Sequence, residues 1–348
     1  MKDTILLLAF GFILLIKGGD WFVDGATGIA RRFHLPEILI GATIVSIGTT
    51  LPEVMVSAGA AVSGSGSIAY GNAIGSIICN TALIAALTIA IKPGKAARKS
   101  IVLPVVFFFV AAAIYCLGAY VFGTFSRVMG IVLLAVFVTY MVLTILRMKK
   151  TTDDIGLIPD EERLTAAEVE STIESRSGED HVVESAEEGT KDSLFKDILM
   201  LVAGAALIAL GADVLVDNAT ILAKQFGVSE KVIGLTIVAL GTSLPELVTA
   251  ITSLLKGHGS LSLGNIIGAN LFNLVLVSGV AVTLSPFDVP VASEIAGINA
   301  SLVLDIPLML VVMGILTIPT IIKEKLSRWQ GIALLGIYAA FCTLQFVL

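Results

Sequence analysis

Two acidic residues lie deep inside apolar segments of this 348-residue chain, and each directly follows a proline. Glu53 ends the motif GATIVSIGTTLPE at 41–53, and Glu246 ends the motif GLTIVALGTSLPE at 234–246. An acid at the centre of a membrane costs at least about 2.5–3.5 kcal/mol on insertion scales, so such a residue is retained for function by default. Proline also removes a backbone donor and displaces the carbonyl four residues earlier. We therefore predict free carbonyl oxygens near 46–49 and 239–242, lining a cavity or a packed site.

Hydroxyl and amide side chains are spaced so that they share helix faces with the two acids. Ser46, Thr49 and Thr50 precede Glu53 at intervals that place all four on one face of a helix. The second motif repeats this arrangement around Glu246, with an alanine at the position of Ser46. The apolar segments that follow add two more stripes at intervals of four residues, namely Asn72, Ser76 and Asn80 in one and Asn265, Ala269 and Asn273 in the other.

Together these residues supply only oxygen ligands, with a formal charge of −2 from the two glutamates. Hard cations prefer such sets, and calcium takes about 6–8 oxygens. No set of His or Cys ligands accompanies them, which argues against zinc, copper or iron. The predicted cation ligands are Ser46, Thr49, Thr50, Glu53, Ser76, Asn80, Ala239, Thr242, Ser243, Glu246 and Asn273.

Structural roles compete with this interpretation. A Ser, Thr or Asn in a membrane helix usually bonds its own backbone or a neighbouring helix. For Asn72 and Asn265, packing or capping and a functional role stay equally open. For the two glutamates the alternative is a buried pair with basic partners, but Lys17 is the only basic residue in the same helical regions.

The two motifs belong to an internal repeat. When the chain is shifted by 193 residues its halves align without a gap, and 27 of 63 positions are identical between 18–80 and 211–273. The identities include Gly, Pro, Glu and Asn positions, and they pair Asp20 and Asp24 with Asp213 and Asp217. Shared apolar composition alone would not align these residue types.

The composition is that of a membrane protein, with 56% hydrophobic and 14% charged residues. A soluble domain carries about 25% charged residues, so a soluble, disordered or nucleic-acid-binding chain is excluded. A membrane helix needs about 20 apolar residues, and ten segments qualify. They lie near 4–30, 37–62, 68–91, 101–122, 127–147, 196–223, 230–255, 261–284, 297–321 and 329–347. The fourth, fifth and tenth are expected to be plain lipid-facing helices.

Each half has five of these helices, and this odd number means that the second half enters the membrane from the opposite side. We predict an all-α polytopic membrane protein of ten transmembrane helices in an inverted 5+5 repeat, an architecture common among secondary transporters. Its parts are a first repeat at 1–147, a flexible acidic loop at 148–195 and a second repeat at 196–348. Fourteen of the 28 acidic residues lie in the segment 148–196, which contains only 6 of the 22 Lys and Arg residues.

Lysine and arginine predict the orientation of the chain in an inner cell membrane. With the N-terminus outside, 17 of these residues fall in cytoplasmic connections and 4 outside. Both termini are therefore expected outside and the acidic loop in the cytoplasm. Cys79, Cys116 and Cys342 all lie in apolar runs, and their odd number indicates no disulfide framework.

The duplicated motifs resemble the two α-repeats of the calcium/cation antiporter superfamily, in its sodium/calcium exchanger-like branch. The resemblance covers nearly the whole chain outside the acidic loop. It implies ten helices in an inverted repeat and calcium transport driven by sodium, with no enzymatic activity and no cofactor beyond the transported calcium and sodium ions. It also implies that Glu53, Glu246 and their neighbouring hydroxyls and carbonyls bind these ions, and that Ser76, Asn80 and Asn273 complete the site.

Two departures from the family pattern bear on the coupling ion. Ala269 stands where the family often has serine, so one sodium ligand is lost. Asn80 and Asn273 are both amides, so the two glutamates alone set the charge of the site. The alternatives are a calcium/proton antiporter and a potassium-dependent sodium/calcium antiporter. An intramembrane protease or a channel fits the repeat poorly. Beyond membrane lipid and the ions no partner is indicated, and the oligomeric state stays open.

The first and sixth segments carry glycine beside aspartate, at Gly18, Gly19, Asp20 and Asp24 and at Gly211, Asp213 and Asp217. The spacing places these aspartates away from the membrane midplane. They either anchor the helix ends, pairing with residues such as Arg31 or Lys224, or mark two helices that slide against the rest of the protein.

Overall fold

The computed structural model of the chain describes residues 2–156, 191–226, 239–291, 294–295 and 297–347. Ten helices lie in these ranges: α1 (Lys2–Arg32), α2 (Glu37–Val62), α3 (Gly66–Ile91), α4 (Arg98–Phe122), α5 (Arg127–Gly156), α6 (Lys191–Gln225), α7 (Leu244–Leu255), α8 (Gly259–Leu284), α9 (Ser301–Lys323) and α10 (Arg328–Val347). Eight of them are long and apolar enough to cross a membrane.

The predicted spans agree with these helices, apart from two differences. The seventh span was predicted to begin at 230, but 227–238 lie outside the described residues, as does most of the predicted acidic loop. The ninth helix begins at Ser301, four residues after the approximate start predicted near 297. A short hairpin, β3 (Glu294–Ile295) with β4 (Ile298–Asn299), occupies that stretch. The side chain of Asn299 then accepts a hydrogen bond from the Ser301 backbone N–H at 2.9 Å, so the helix starts there.

The connections between helices show the inverted repeat directly. On one face, β1 (Thr124–Phe125), between α4 and α5, pairs with β2 (Phe287–Asp288), between α8 and α9. On the opposite face the repeat-equivalent connections meet, because Lys95 and Lys325 form an antiparallel bridge. The Ala96 N–H there donates to the Glu324 carbonyl at 3.0 Å. A contact between equivalent connections of the two repeats therefore occurs once on each face of the protein.

The turns after α2 and α7 are also equivalent under the shift of 193 residues. Gly64 and Gly257 both have positive φ, at 75° and 84°. In each turn the next N–H reaches back to the helix, from Ser65 to the Ala60 carbonyl at 2.8 Å and from His258 to the Ser253 carbonyl at 2.7 Å. Glycine is favoured at both positions because it alone adopts this left-handed conformation without a Cβ clash.

Several helices contain a π-helical turn, which local sequence propensity does not predict. One runs from Asn80 to Ala85 in α3, and another from Asn273 to Val277 in α8. The two begin at repeat-equivalent asparagines. A third π turn, Gly41–Val45, lies near the start of α2. Such turns are rare and occur often at functional sites, because they shift the backbone out of regular hydrogen bonding.

The helices form a central bundle with α1 and α6 on one side of it. Buried side chains of α3, α4, α8 and α9 make up most of two hydrophobic clusters, while a third cluster joins α1 and α6 to the start of α2. α1 and α6 touch backbone to backbone at glycines. A Cβ on Gly18 would lie 2.9 Å from the Gly204 carbonyl oxygen, and one on Gly211 would lie 2.9 Å from that of Gly11.

The prediction that the fourth helix is a plain lipid-facing span is wrong. α4 contains Pro104 and a terminal π turn, and half of the residues in its most apolar stretch are buried. Phe108 and Tyr115 are fully buried, and the Tyr115 ring packs against Phe125 with centroids 4.5 Å apart. α4 therefore helps to hold the bundle against which α3 and α8 are placed.

Candidate ion-binding site

The polar stripe predicted on α2 is buried along its whole length. Ser46, Thr49, Thr50 and Glu53 are each at most 2% exposed. In the second repeat Ser243 and Glu246 are equally buried, whereas Thr242 is half-buried. The side chain of Ala239 lies outside the described residues, although its backbone opens a short helical turn, Ala239–Thr242.

The two glutamates lie close together in the interior. Their carboxylates interact electrostatically, and the hydroxyls of Thr49 and Thr50 lie beside that of Glu246. Both motif prolines, Pro52 and Pro245, also line one small cavity that faces α1 and α6. The motifs of the two halves therefore meet at one place, as the repeat predicts.

Neither carboxylate has a hydrogen-bond or ion-pair partner among the described residues. All four carboxylate oxygens are buried without a hydrogen bond, and the ion pairs seen in the described part of the chain do not include them. Buried carboxylates in proteins are almost always paired, since a bare one forfeits its hydration. The arrangement therefore calls for positive charge supplied from outside the chain, by a cation or by protons.

The two prolines have different local effects. α7 begins at Leu244, and Ser243 (φ −92°, ψ 7°) separates it from the turn Ala239–Thr242. In contrast α2 runs through Pro52 as a continuous helix, and its irregular backbone lies earlier, at Gly41–Val45. The hydroxyl of Tyr140 on α5 donates to the Ala42 carbonyl in that π turn at 2.9 Å. Sequence reasoning did not identify Tyr140.

The asparagines of the following helices face the same interior. Asn80, Asn265 and Asn273 are fully buried, and Ser76 is 4% exposed. The amide oxygens of Asn80 and Asn273 have no hydrogen-bond partner among the described residues. The Asn273 amide nitrogen donates to the Ala269 carbonyl at 3.0 Å, which fixes the direction of its oxygen. Both asparagines begin π turns, and their amide oxygens are available to bind a ligand.

The sequence did not predict that Cys79 lies beside the site. Cys79 directly precedes Asn80, is buried, and lies near both Ser243 and Glu246. Its position next to Asn80 in the chain was the available signal. Within the described residues no group of three or more His, Cys, Asp or Glu side chains converges, so the site depends on two carboxylates and neutral oxygens.

The aspartates of α1 lie outside this site, as predicted, but their partner differs from the prediction. Lys256, just after α7, contacts Asp24 at 2.7 Å and Asp20 at 3.4 Å. The suggested partner Arg31 was wrong, and Arg32 next to it reaches Asp197 instead. Lys224 lies among side chains that are not described.

Comparison with known proteins identifies the family of this chain. The sodium/calcium exchanger protein family matches residues 4–146 and 196–347. The chain is 30% identical over 365 aligned residues to the sodium/calcium exchanger MaX1 of Methanosarcina acetivorans, covering 99% of this chain and 98% of that protein. It is 33% identical to the inner membrane protein YrbG of Escherichia coli, over 81% of this chain and 80% of YrbG.

A solved structure shows the same fold. The sodium–calcium exchanger NCX_Mj, soaked with Na⁺ and Sr²⁺, superposes with a TM-score of 0.74 at 29% identity and covers 98% of this chain and 97% of its own. This chain therefore belongs to the sodium/calcium exchanger family. It is a multi-pass membrane protein and a cation exchanger rather than an enzyme.

Proposed function

We propose that this member of the sodium/calcium exchanger family is an antiporter that exchanges calcium for sodium by alternating access. The observation on which the proposal rests is the pair of fully buried carboxylates, Glu53 and Glu246, that have no partner among the described residues. Two negative charges at this depth need two positive charges from the transported ions or from protons.

Charge balance explains how the exchange is coupled. One calcium ion or two sodium ions neutralise the same carboxylate pair, but both cannot occupy it together. The site is neutral only when it is loaded. The protein therefore switches its opening from one side of the membrane to the other more easily with ions bound, because a bare pair of buried charges is costly. Competition for one site, opened alternately to each side, then couples the two fluxes.

The proposed ligands are the oxygens that the fold gathers around the two acids. Four carboxylate oxygens with the neighbouring hydroxyls and amide oxygens suffice for the about 6–8 ligands that calcium takes. The set is Ser46, Thr49, Thr50, Glu53, Ser76, Asn80, the backbone of Ala239, Thr242, Ser243, Glu246 and Asn273. The relative named as a sodium/calcium exchanger and the structure soaked with sodium and strontium support this choice of ions.

We further propose the orientation indicated by the basic residues, with both termini outside and the connection 148–195 in the cytoplasm. This connection joins a first repeat at 1–147 to a second at 196–348. Under this orientation Lys256 lies on the cytoplasmic side, and the turn at Gly64 lies outside.

Changing each glutamate to glutamine tests the proposal. Glu53→Gln and Glu246→Gln keep the shape of the side chain but remove half of the negative charge. Losing one member of a buried charged set costs about 3–5 kcal/mol, or roughly 100-fold or more in affinity. We therefore expect either change to abolish sodium-driven calcium uptake into proteoliposomes and calcium binding to purified protein.

Glu37→Gln is the matched control, because Glu37 pairs with His258 at 2.7 Å outside the site. It should retain both activities. Near wild-type calcium transport by either site variant would show that the proposed site is wrong.

A further inference from the structure

One residue of the second repeat contacts two hydroxyls of the first. Asn265, on α8, is fully buried, and its amide oxygen accepts a hydrogen bond from the Thr49 hydroxyl at 3.1 Å. Its backbone carbonyl lies 2.9 Å from the Ser46 hydroxyl, which shares its proton between this carbonyl and that of Gly41 at 2.7 Å. Asn265 therefore joins α8 to the stripe of α2 that leads to Glu53.

Glycines allow this close approach. A Cβ on Gly41 would lie 2.8 Å from the Asn265 backbone nitrogen, and one on Gly268 would collide with the Ser46 hydroxyl. The crossing is therefore built backbone to backbone at the π turn Gly41–Val45. Little room remains for Asn265 to change its contacts without a shift of α2 or α8.

The direction of the Thr49 bond has a chemical consequence. A hydroxyl has one proton to donate and two lone pairs to offer. If the proton points at Asn265, as the 3.1 Å contact indicates, the lone pairs of the Thr49 oxygen are left for a cation bound beside the nearby Glu246 carboxylate. Two other acceptors lie near the Thr49 hydroxyl: the Ser46 carbonyl, more distant at 3.4 Å, and the Glu246 carboxylate, whose oxygens accept no hydrogen bond from the described residues. A cation bound to the Thr49 oxygen would repel the proton, so an acceptor on the far side is needed.

The repeat-equivalent asparagine, Asn72, makes different hydrogen bonds. Asn72 uses its amide nitrogen as a donor, to the Glu53 carbonyl at 3.1 Å and to the Ser57 hydroxyl at 2.8 Å. Asn72 thus bonds α2 within its own repeat, whereas Asn265 acts as an acceptor across the two repeats. The role of Asn265 therefore does not follow from the motif that both residues share.

We propose that Asn265 is a positioning residue, which takes the proton of the Thr49 hydroxyl and thereby turns the oxygen of Thr49 toward the bound cation. This inference rests on the proposed function, since it assumes that Thr49 is a cation ligand. It extends the site to a residue that does not itself touch the ion.

A double-mutant cycle tests the inference. Asn265→Leu keeps the approximate volume but removes the acceptor, and Asn265→Asp keeps an acceptor oxygen. We expect Asn265→Leu to weaken calcium binding to purified protein by about fivefold to tenfold, the effect of one lost hydrogen bond. The same change made in a Thr49→Ala background should have no further effect. Asn265→Asp should restore the dependence on Thr49.

Asn270→Ala is the control, because Asn270 is buried in the same helix but bonds Thr81 at 2.7 Å and Met313. Its effect should be equal in both backgrounds. An undiminished effect of Asn265→Leu in the Thr49→Ala background, or no effect of Asn265→Leu at all, would overturn the inference. If Thr49→Ala itself leaves calcium binding unchanged, the proposed ligand set fails instead, so the two failures are distinguishable.

Discussion

Replacing Lys256 by serine should loosen α1 from the bundle at one end of the molecule. The Lys256 ammonium contacts Asp24 at 2.7 Å and Asp20 at 3.4 Å, and it donates to the Asp20 backbone carbonyl at 3.1 Å. The repeat-equivalent residue is Ser63, and Asp213 and Asp217 have no ion pair within the described part of the chain. Within the described residues this ionic contact therefore occurs at one end, and serine is the residue at the equivalent position of the other repeat.

The size of the effect follows from the exposure of these groups. The side chain of Lys256 is 26% exposed, and those of Asp20 and Asp24 are 38% and 47% exposed. Partly exposed ion pairs contribute about 0.2–1 kcal/mol each, so two pairs and one hydrogen bond amount to about 1–2 kcal/mol. An opening equilibrium at this end should then shift by about 5- to 30-fold. The ion site is not touched by the change.

Cysteine accessibility measures this shift. Gly25 is unsuitable for a probe because its Cβ position faces the α6 backbone, but Thr252 on α7 faces α1 at Gly19 and accepts a cysteine of similar size. After replacement of the three native cysteines, Cys at 252 should react about 5- to 30-fold faster with a thiol reagent from the Lys256 side in Lys256→Ser than in its parent.

Lys325→Ser removes a charge from the same face without touching α1, and it should leave the labelling rate unchanged. Ser63→Lys should create the equivalent ion pairs at the other end of the molecule, with Asp213 and Asp217. Equal labelling rates in Lys256→Ser and its parent would refute the argument that this lysine holds α1 closed.

Two further changes test the ligand set and the turns. Ala269→Ser adds a hydroxyl at a buried position next to Asn273 and should strengthen the competition of sodium with calcium binding; unchanged sodium inhibition would count against the ligand map. Gly257→Ala places a Cβ at φ 84° and should destabilise the protein by about 1–2 kcal/mol, seen as a lower melting temperature in detergent, whereas Gly59→Ala, in open space within α2, should not. Equal melting temperatures for these two variants would contradict the proposed role of the turn.

Sequence reasoning predicted the parts of the fold that repeat. The shift of 193 residues aligned the two motifs, and the fold is confirmed as ten helices in an inverted repeat. Burial of Glu53 and Glu246 follows from two acids retained inside apolar helices with no basic residue opposite, and the structure confirms it. These features depend on residue type and period, which a single sequence contains.

Contacts between helices could not be predicted in the same way. Helical period places Asp20 and Asp24 on one face of α1 but does not identify Lys256, 232 residues from Asp24, as the residue opposite. Likewise the π turns at Asn80 and Asn273 depend on tertiary packing rather than on local propensity, and so does the burial of Tyr115 on α4. The hairpin before α9 replaced a predicted helical start because Gly297 adopts φ 77° there.

Calcium flux in proteoliposomes, with gradients of sodium, potassium or protons imposed separately, tests the central claim most directly. If Glu53 and Glu246 form a site shared by calcium and sodium, an outward sodium gradient alone will drive calcium uptake. That uptake will disappear when sodium is equal on both sides and in both glutamine variants. Calcium uptake that is driven by a pH gradient and is indifferent to sodium would contradict sodium coupling and identify protons as the counter-ion.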